Sequence, residues 1–303
     1  MSNADWLRLC VLSLVWGGAF FFVEVAVPHL PPASIVLARV GLGAGLLAVI
    51  LRGSRTRFPR GARVWGALAL MGLMNNALPF TLFAAAQGRI DSGLAAILNA
   101  TTPFWAVLVA HLATHDERLT RVRLAGLGIG FAGVVVLTGG AGASGTLGAQ
   151  ALCLAAALFY ALSGVWARRF KGMGLSPMAV GFGQTASASL ILLPVVLWLD
   201  RPWQAGLPPL QVLGALLGLA GLSTALAYVL FFRLIASAGA VNALLVTFLI
   251  PVSAIALGAG VLGEALSLRQ FAGMALIAAG LMVLDGRLLR RGRHRDRRGA
   301  QIP

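Results

Sequence analysis

Arg39 is the one basic residue that lies well inside an apolar run of this 303-residue chain, and Glu24 closes the apolar run before it. A charge held at the centre of a hydrocarbon layer costs about 3 kcal/mol or more unless it finds a partner or reaches water. The two residues are therefore placed to form an ionic contact between neighbouring segments, the alternative being that Arg39 snorkels to the headgroups. Neither role is catalysis. The chain has no Gly-x-Ser-x-Gly elbow, no His-Glu-x-x-His and no acid pair within an apolar run, so the residues of an intramembrane enzyme are missing. Cys10 and Cys153 sit in apolar stretches without metal-ligand spacing, and no cofactor is expected. His111, near the end of its run, reads as an interfacial residue. No carboxylate falls near the middle of any run, which leaves a conventional proton relay without its usual part.

Two further patterns place polar groups among apolar ones. Asn76, Phe80, Phe83 and Gln87 fall at i, i+4, i+7 and i+11, one face of a helix, and Thr224, Tyr228 and Phe231 repeat the first three positions. Such a face, polar and aromatic together, either packs against neighbours or lines a cavity. Asn99 stands four residues before Pro103, and Thr247 four before Pro251. Proline has no N–H, so the carbonyls of Asn99 and Thr247 lose their helical donor and the helix bends there. Both prolines are thus candidate hinges. Asn242 is a further polar candidate, as a ligand group or as a cap of the helix it begins.

The elements that must carry these residues are membrane helices. The chain is 59% hydrophobic and 11% charged, against roughly 25% charge in soluble domains, and its mean hydropathy is +0.88. Its net charge of +15 is spread over short tracts between apolar runs, which leaves no room for a nucleic-acid-binding domain. The partners expected are the lipid bilayer and a small-molecule substrate; nothing in the sequence requires a second copy. A hydrocarbon core of about 30 Å needs roughly 20 apolar residues per helix. Ten candidates result: Trp6 to Ala26, Ala33 to Leu51, Val64 to Ala86, Ser92 to Ala113, Val122 to Thr138, Leu147 to Ala167, Pro177 to Leu199, Leu210 to Arg233, Val241 to Leu262 and Leu268 to Asp285. The odd loops hold only Arg89, Arg201 and Arg269, whereas the even loops and the tail carry tracts such as Arg52 to Arg63 and Arg287 to Arg298. Basic loops stay in the cytoplasm, so both termini are expected there, with the tail from 286 to 303 resting on anionic lipid.

The chain also repeats itself. Glu117, Leu119, Ala125, Gly126, Ala132, Gly133, Val136 and Leu137 recur with the same internal spacing as Glu264, Leu266, Ala272, Gly273, Ala279, Gly280, Val283 and Leu284. With one residue of slip, Pro103 matches Pro251, Phe83 matches Phe231, Phe80 faces Tyr228 and Gly66 matches Gly214. The expected fold is all-α integral membrane: ten helices in two five-helix copies, residues 1–138 and 147–285, around a central cavity. Five is odd, so the second copy is inverted, a common plan of secondary transporters. Gly41 and Gly45, Gly126 and Gly130, Gly214 and Gly218, and the matched Gly133 and Gly280 suit close bracing contacts between helices.

With Trp16-Gly17-Gly18-Ala19-Phe20 in the first helix, Pro32 and Arg39 in the second, Pro103 and Pro251, and the turns Glu117-Arg118-Leu119 and Glu264-Ala265-Leu266, nearly the whole chain resembles the drug/metabolite transporter superfamily in its ten-helix EamA-type branch. The resemblance implies a basket whose helices one, three, four, six, eight and nine line the cavity while five and ten brace it. Within the branch, the chain is most similar to exporters of aromatic and other amino acids of the bacterial inner membrane. The counterpart of Trp16 in the second copy is Phe159 or Tyr160, an inexact match. The lining so implied is Trp16, Phe20, Asn76, Phe80, Phe83, Asn99, Phe159, Ser163, Thr224, Tyr228, Asn242 and Thr247, with Pro103, Pro251, Glu24 and Arg39 as hinge and gate.

A cavity without Lys or Arg at midplane argues against phosphate-bearing substrates. Amides and hydroxyls among aromatics suit a small zwitterion, its ammonium on an aromatic face and its carboxylate on amide donors. Export of amino acids by alternating access is the expectation. A proton-coupled exporter of lipophilic cations and a lipid-carrier flippase are the alternatives.

Overall fold

The computed structural model describes residues 1–54, 56–113, 120–138, 146–204, 206–243, 245–265 and 267–285, and every regular element among them is helical. In chain order the helices are α1 (Asn3–Ala26), α2 (Pro32–Gly53), α3 (Ala62–Gln87), α4 (Ser92–Ala113), α5 (Arg121–Thr138), α6 (Leu147–Gly172), α7 (Pro177–Asp200), α8 (Leu210–Ala238), α9 (Val246–Leu262) and α10 (Leu268–Asp285). Seven of these, α1 to α4 and α6 to α8, are long and apolar enough to cross a membrane, and α9 and α10 are shorter apolar helices. The protein is a multi-pass helical membrane protein. The Glu117-Arg118-Leu119 turn, Leu266, Arg55 and the basic stretch 286–303 lie outside the described residues.

Helix limits follow local chemistry more than hydropathy. α1 starts ahead of its apolar run because Ser2 and Asp5 form a capping box, Asp5 N–H donating to Ser2 Oγ at 3.2 Å and Ser2 N–H to Asp5 Oδ2 at 3.0 Å. α7 opens with Ser176 accepting from Ala179 N–H and Pro177 in the first turn. α8 runs past Arg233 to Ala238, where Gly239 at φ +84° stops it. Val241 belongs to a separate turn, Ala240–Ala243, before α9.

Contacts between helix ends give each helix its direction. On one face the start of α1 meets the end of α8, Ser237 Oγ donating to Asp5 Oδ1 at 2.6 Å. On the other, Ser34 at the start of α2 donates to Asp200 at the end of α7 at 2.6 Å. There too Arg269, opening α10, donates to the Val136 and Leu137 carbonyls at the end of α5. The N-cap residue of α4, Asp91, makes no side-chain cap; Glu264, just beyond α9, does so from across the fold, accepting from Ser92 and Gly93 N–H at 3.0 and 3.1 Å.

Helices in lipid gain little from hydrophobicity and associate where small residues let backbones approach. A Cβ at Gly133 would lie 2.8 Å from Ile277 N, and one at Gly280 2.6 Å from Gly130 N, so α5 and α10 cross backbone to backbone. Gly126 and Gly273 complete that crossing, as expected of bracing glycines. Gly45 and Gly214, by contrast, face nothing within 4 Å.

Candidate functional site

The centre of the fold is set by two wide turns. α3 is π-helical over Leu73–Ala77 and α8 over Gly221–Leu226. The two segments begin 148 positions apart, the same offset that relates Pro103 to Pro251. A π turn frees a carbonyl from its usual partner and marks functional sites more often than chance. In α8 the Thr224 hydroxyl donates back to Leu219 C=O at 2.9 Å. That leaves the Thr224 oxygen able to accept, and Arg39 Nε donates to it at 3.2 Å.

Arg39 therefore neither pairs with Glu24 nor snorkels, which corrects the expectation for both residues. Its guanidinium also donates to Ser223 C=O at 3.4 Å and lies 3.6 Å from the centroid of the Phe80 ring. The residue is only 8% exposed. Glu24 accepts from Gln87 Nε2 at 2.9 Å, and the same amide donates to Phe20 C=O at 2.8 Å. A cation thus occupies the middle of the residues expected to line a cavity without one. Gly43, one turn beyond Arg39, makes this possible: a Cβ there would lie 2.9 Å from Thr224 Cγ2.

One helical turn along α3 and α8 stands a second polar group. Tyr228 Oη accepts from Asn76 Nδ2 at 3.1 Å and from Gln184 Nε2 at 2.7 Å. Gln184 also donates to Asn75 Oδ1 at 3.3 Å, Asn75 donates to Ser163 Oγ at 2.7 Å, and Ser163 returns to its own helix at Tyr160 C=O. Asn76 and Thr224 are at most 1% exposed and Gln184 is 4% exposed, while Asn75 and Tyr228 are half-buried. Asn76 Oδ1 and Gln184 Oε1 are buried without a hydrogen-bond donor. Gly72 and Gly181 bring α7 close: a Cβ at Gly72 would run into Gln184 C=O, and one at Gly181 would lie 3.1 Å from Tyr228 Cδ2.

An aromatic layer flanks the network. Trp16 meets Phe231 at 5.1 Å between centroids, and Phe20 meets Phe83 edge-on at 5.5 Å. Tyr160 packs on Phe80 and Phe83 at 6.5 and 6.2 Å. The second-copy aromatic on the stripe is thus Tyr160, the neighbour of Phe159.

The proline elements behave differently from one another. α4 breaks at Ala100 and Thr101, and the Asn99 carbonyl freed by Pro103 accepts from Thr102 Oγ1 at 2.7 Å, so it is satisfied within the helix. α9 continues through Pro251, which lines an apolar cavity of about 170 Å³ with Phe248, Ile97 and Met274, away from the network. Thr247 is half-buried on the same helix. Asn242 Nδ2 donates to Ala238 C=O at 2.8 Å and so caps the end of α8, where a cap of α9 was the expectation. Sequence reasoning missed Asn75, Gln184 and Ser223, and of the two candidates Phe159 and Tyr160 it put Phe159 in the lining. A signal for Gln184 existed: it follows Pro177 by seven residues, as Arg39 follows Pro32.

Comparison with known proteins agrees with this architecture. The chain is 25% identical over 280 residues to the inner membrane transporter YedA of Escherichia coli, covering 91% of this chain and 89% of that one. It is 28% identical over 294 residues to a probable amino-acid metabolite efflux pump of Salmonella typhimurium, covering 93% and 95%. It is 24% identical over 303 residues to a probable terminal-alkyne amino-acid exporter of Streptantibioticus cattleyicolor, covering 98% and 97%. A solved crystal structure superposes with a TM-score of 0.68 at 18% identity, over 96% of this chain and 100% of the other, a likeness of fold alone. The EamA-like transporter family matches twice, over residues 6–139 and 147–284, the two stretches that carry the α5 and α10 glycines and the matched wide turns. The chain therefore belongs to the EamA-like transporter family of the drug/metabolite transporter superfamily.

Proposed function

We propose that the protein exports small amphipathic metabolites, foremost amino acids including aromatic ones, by alternating access of two inverted five-helix copies, residues 1–138 and 147–285. The observation that carries this reading is two neighbouring polar groups at mid-helix drawn from both stretches: Arg39 on Thr224, and half-buried Tyr228 accepting from Asn76 and Gln184. Polar groups this deep are costly in lipid and mark a substrate path. The neighbouring aromatics Trp16, Phe20, Phe80, Phe83 and Tyr160 supply an apolar wall. Names of two relatives, an amino-acid metabolite efflux pump and an amino-acid exporter, support the substrate class. The pattern of basic loops supports cytoplasmic termini, and the same two names support outward flux. Arg39 disfavours lipophilic cations, which its charge repels at the centre of the path.

Reconstitution in liposomes tests the reading. Flux of labelled phenylalanine and threonine that ignores an imposed pH gradient and falls at least tenfold in Tyr228→Ala is the expected result. Gradient-dependent flux of a lipophilic cation, with no amino-acid flux, would overturn it.

A further inference from the structure

Arg39 is a permanent cation whose partners are a hydroxyl, a backbone carbonyl and an aromatic ring; no carboxylate is among them. A guanidinium has five N–H donors in a planar fork suited to a carboxylate, and only Nε and one Nη are engaged. A buried charge without its counter-ion is an unstable arrangement unless a counter-ion arrives. One helical turn away, about 5.4 Å along the axis, the buried oxygens Asn76 Oδ1 and Gln184 Oε1 lack donors. Phe80 and Asn76 are four residues apart on α3, and Thr224 and Tyr228 four apart on α8, so the two helices span both groups. One pole of the network requires an anion and the other requires N–H donors. Protein atoms supply neither.

We infer that the substrate is held as a zwitterion between these poles, its carboxylate on the Arg39 guanidinium and its ammonium on the amide oxygens of Asn76 and Gln184. This rests on the reading of the protein as an amino-acid exporter and reverses the assignment expected from the sequence, in which amides took the carboxylate. The carboxylate neutralises the buried cation while Phe80 stays at its back. The ammonium satisfies two acceptors that otherwise remain empty. An amine without a carboxylate would leave two positive charges in one site, and an acid without an amine would leave both oxygens unsatisfied. Both should be rejected, whatever their side chain.

The experiment uses the full chain in liposomes and the faster of phenylalanine and threonine, competed by its amide, which lacks the carboxylate, and by its deamino acid, which lacks the ammonium. In the wild type each analogue should compete at least tenfold more weakly than the amino acid. Arg39→Gln should weaken the amino acid at least tenfold and not weaken the amide, so that the gap between the two closes. Gln184→Leu should erase the preference over the deamino acid in the same way. Arg39→Lys, which keeps the charge and loses the fork, should retain a reduced preference for the carboxylate, and guards against misfolding of the Gln variant. Equal competition by amino acid and amide in the wild type, or an unchanged ratio in Arg39→Gln, would overturn the inference and leave the exporter reading intact. Flux of neither amino acid in the wild type would instead remove that reading, and the inference with it.

Discussion

Arg39 and Gln184 hold corresponding places: each stands seven residues after the proline that opens its helix, and each reaches the wide turn of a helix in the other stretch. Arg39 bonds Thr224 of α8 beside Phe80 of α3, and Gln184 bonds Asn75 of α3 beside Tyr228 of α8. One of the two equivalent positions is charged and the other is neutral.

Tyr228→Phe removes the oxygen that accepts from both Asn76 and Gln184. Leaving two buried donors unmet should destabilise the protein by about 1–3 kcal/mol, toward the lower end because hydrogen bonds within membranes average about 0.6 kcal/mol. Thermal unfolding in detergent of Tyr228→Phe against wild type measures it. An unchanged Tm would mean that the hydroxyl bonds contribute nothing to closure.

Gly43→Val should push α8 off α2 and part Arg39 from Thr224, since even a Cβ lies 2.9 Å from Thr224 Cγ2. Overpacking of this kind costs about 1–3 kcal/mol, and amino-acid flux should fall with it. Gly45→Ala, where nothing lies within 4 Å, should be neutral or stabilise by up to about 1 kcal/mol. Equal effects of the two substitutions would contradict the close approach.

Glu24 and Arg39 should act independently, because Glu24 bonds Gln87 and Arg39 bonds Thr224. In a double-mutant cycle, Glu24→Gln and Arg39→Gln should add within about 0.5 kcal/mol, while Glu24→Gln and Gln87→Leu should show coupling above that. Coupling between Glu24 and Arg39 would restore the ionic gate in another conformation.

Glu264→Ala should cost about 0.5–2 kcal/mol by uncapping α4. Burial, and then the Glu264 carboxylate, raise the pKa of Asp91 above its ordinary value. A group that binds its proton more tightly when folded favours the fold at low pH. Its charging therefore removes stability as pH climbs from near 4 through the raised value. Glu264→Gln lowers the second cause and should flatten this fall, visible as a smaller change of Tm between pH 4 and 6. The same slope in both proteins would sink the assignment.

Much of the core was written in the periodicity of α3 and α8, because residues on one helix face announce themselves by spacing. Arg39 was legible as an intramembrane charge, yet its destination was not. An arginine side chain is long enough to reach either its own helix end or a neighbouring helix, and no spacing within α2 decides between them. Phe159 and Tyr160 are adjacent on one helix, so only packing against Phe83 separates them. Pro103 announced the freed Asn99 carbonyl, though not that Thr102 would satisfy it, and the bond of Thr224 to Leu219 C=O went unread because a wide turn has no sequence signature of its own.

The wide turns of α3 and α8 bear on how the chain tolerates insertion and deletion. A π turn takes in one extra residue at little change in length, so Asn75 and Asn76, consecutive in sequence, both bond inward, to Ser163 and to Tyr228. Removing one residue from Leu73–Ala77 would let the turn return to uniform α winding, and Phe80, Phe83 and Gln87 beyond it would keep their places while one of the two inward asparagine positions is lost. In these two short stretches a residue can be lost without turning the rest of the helix, and the cost falls on the polar groups that the wide turn presents.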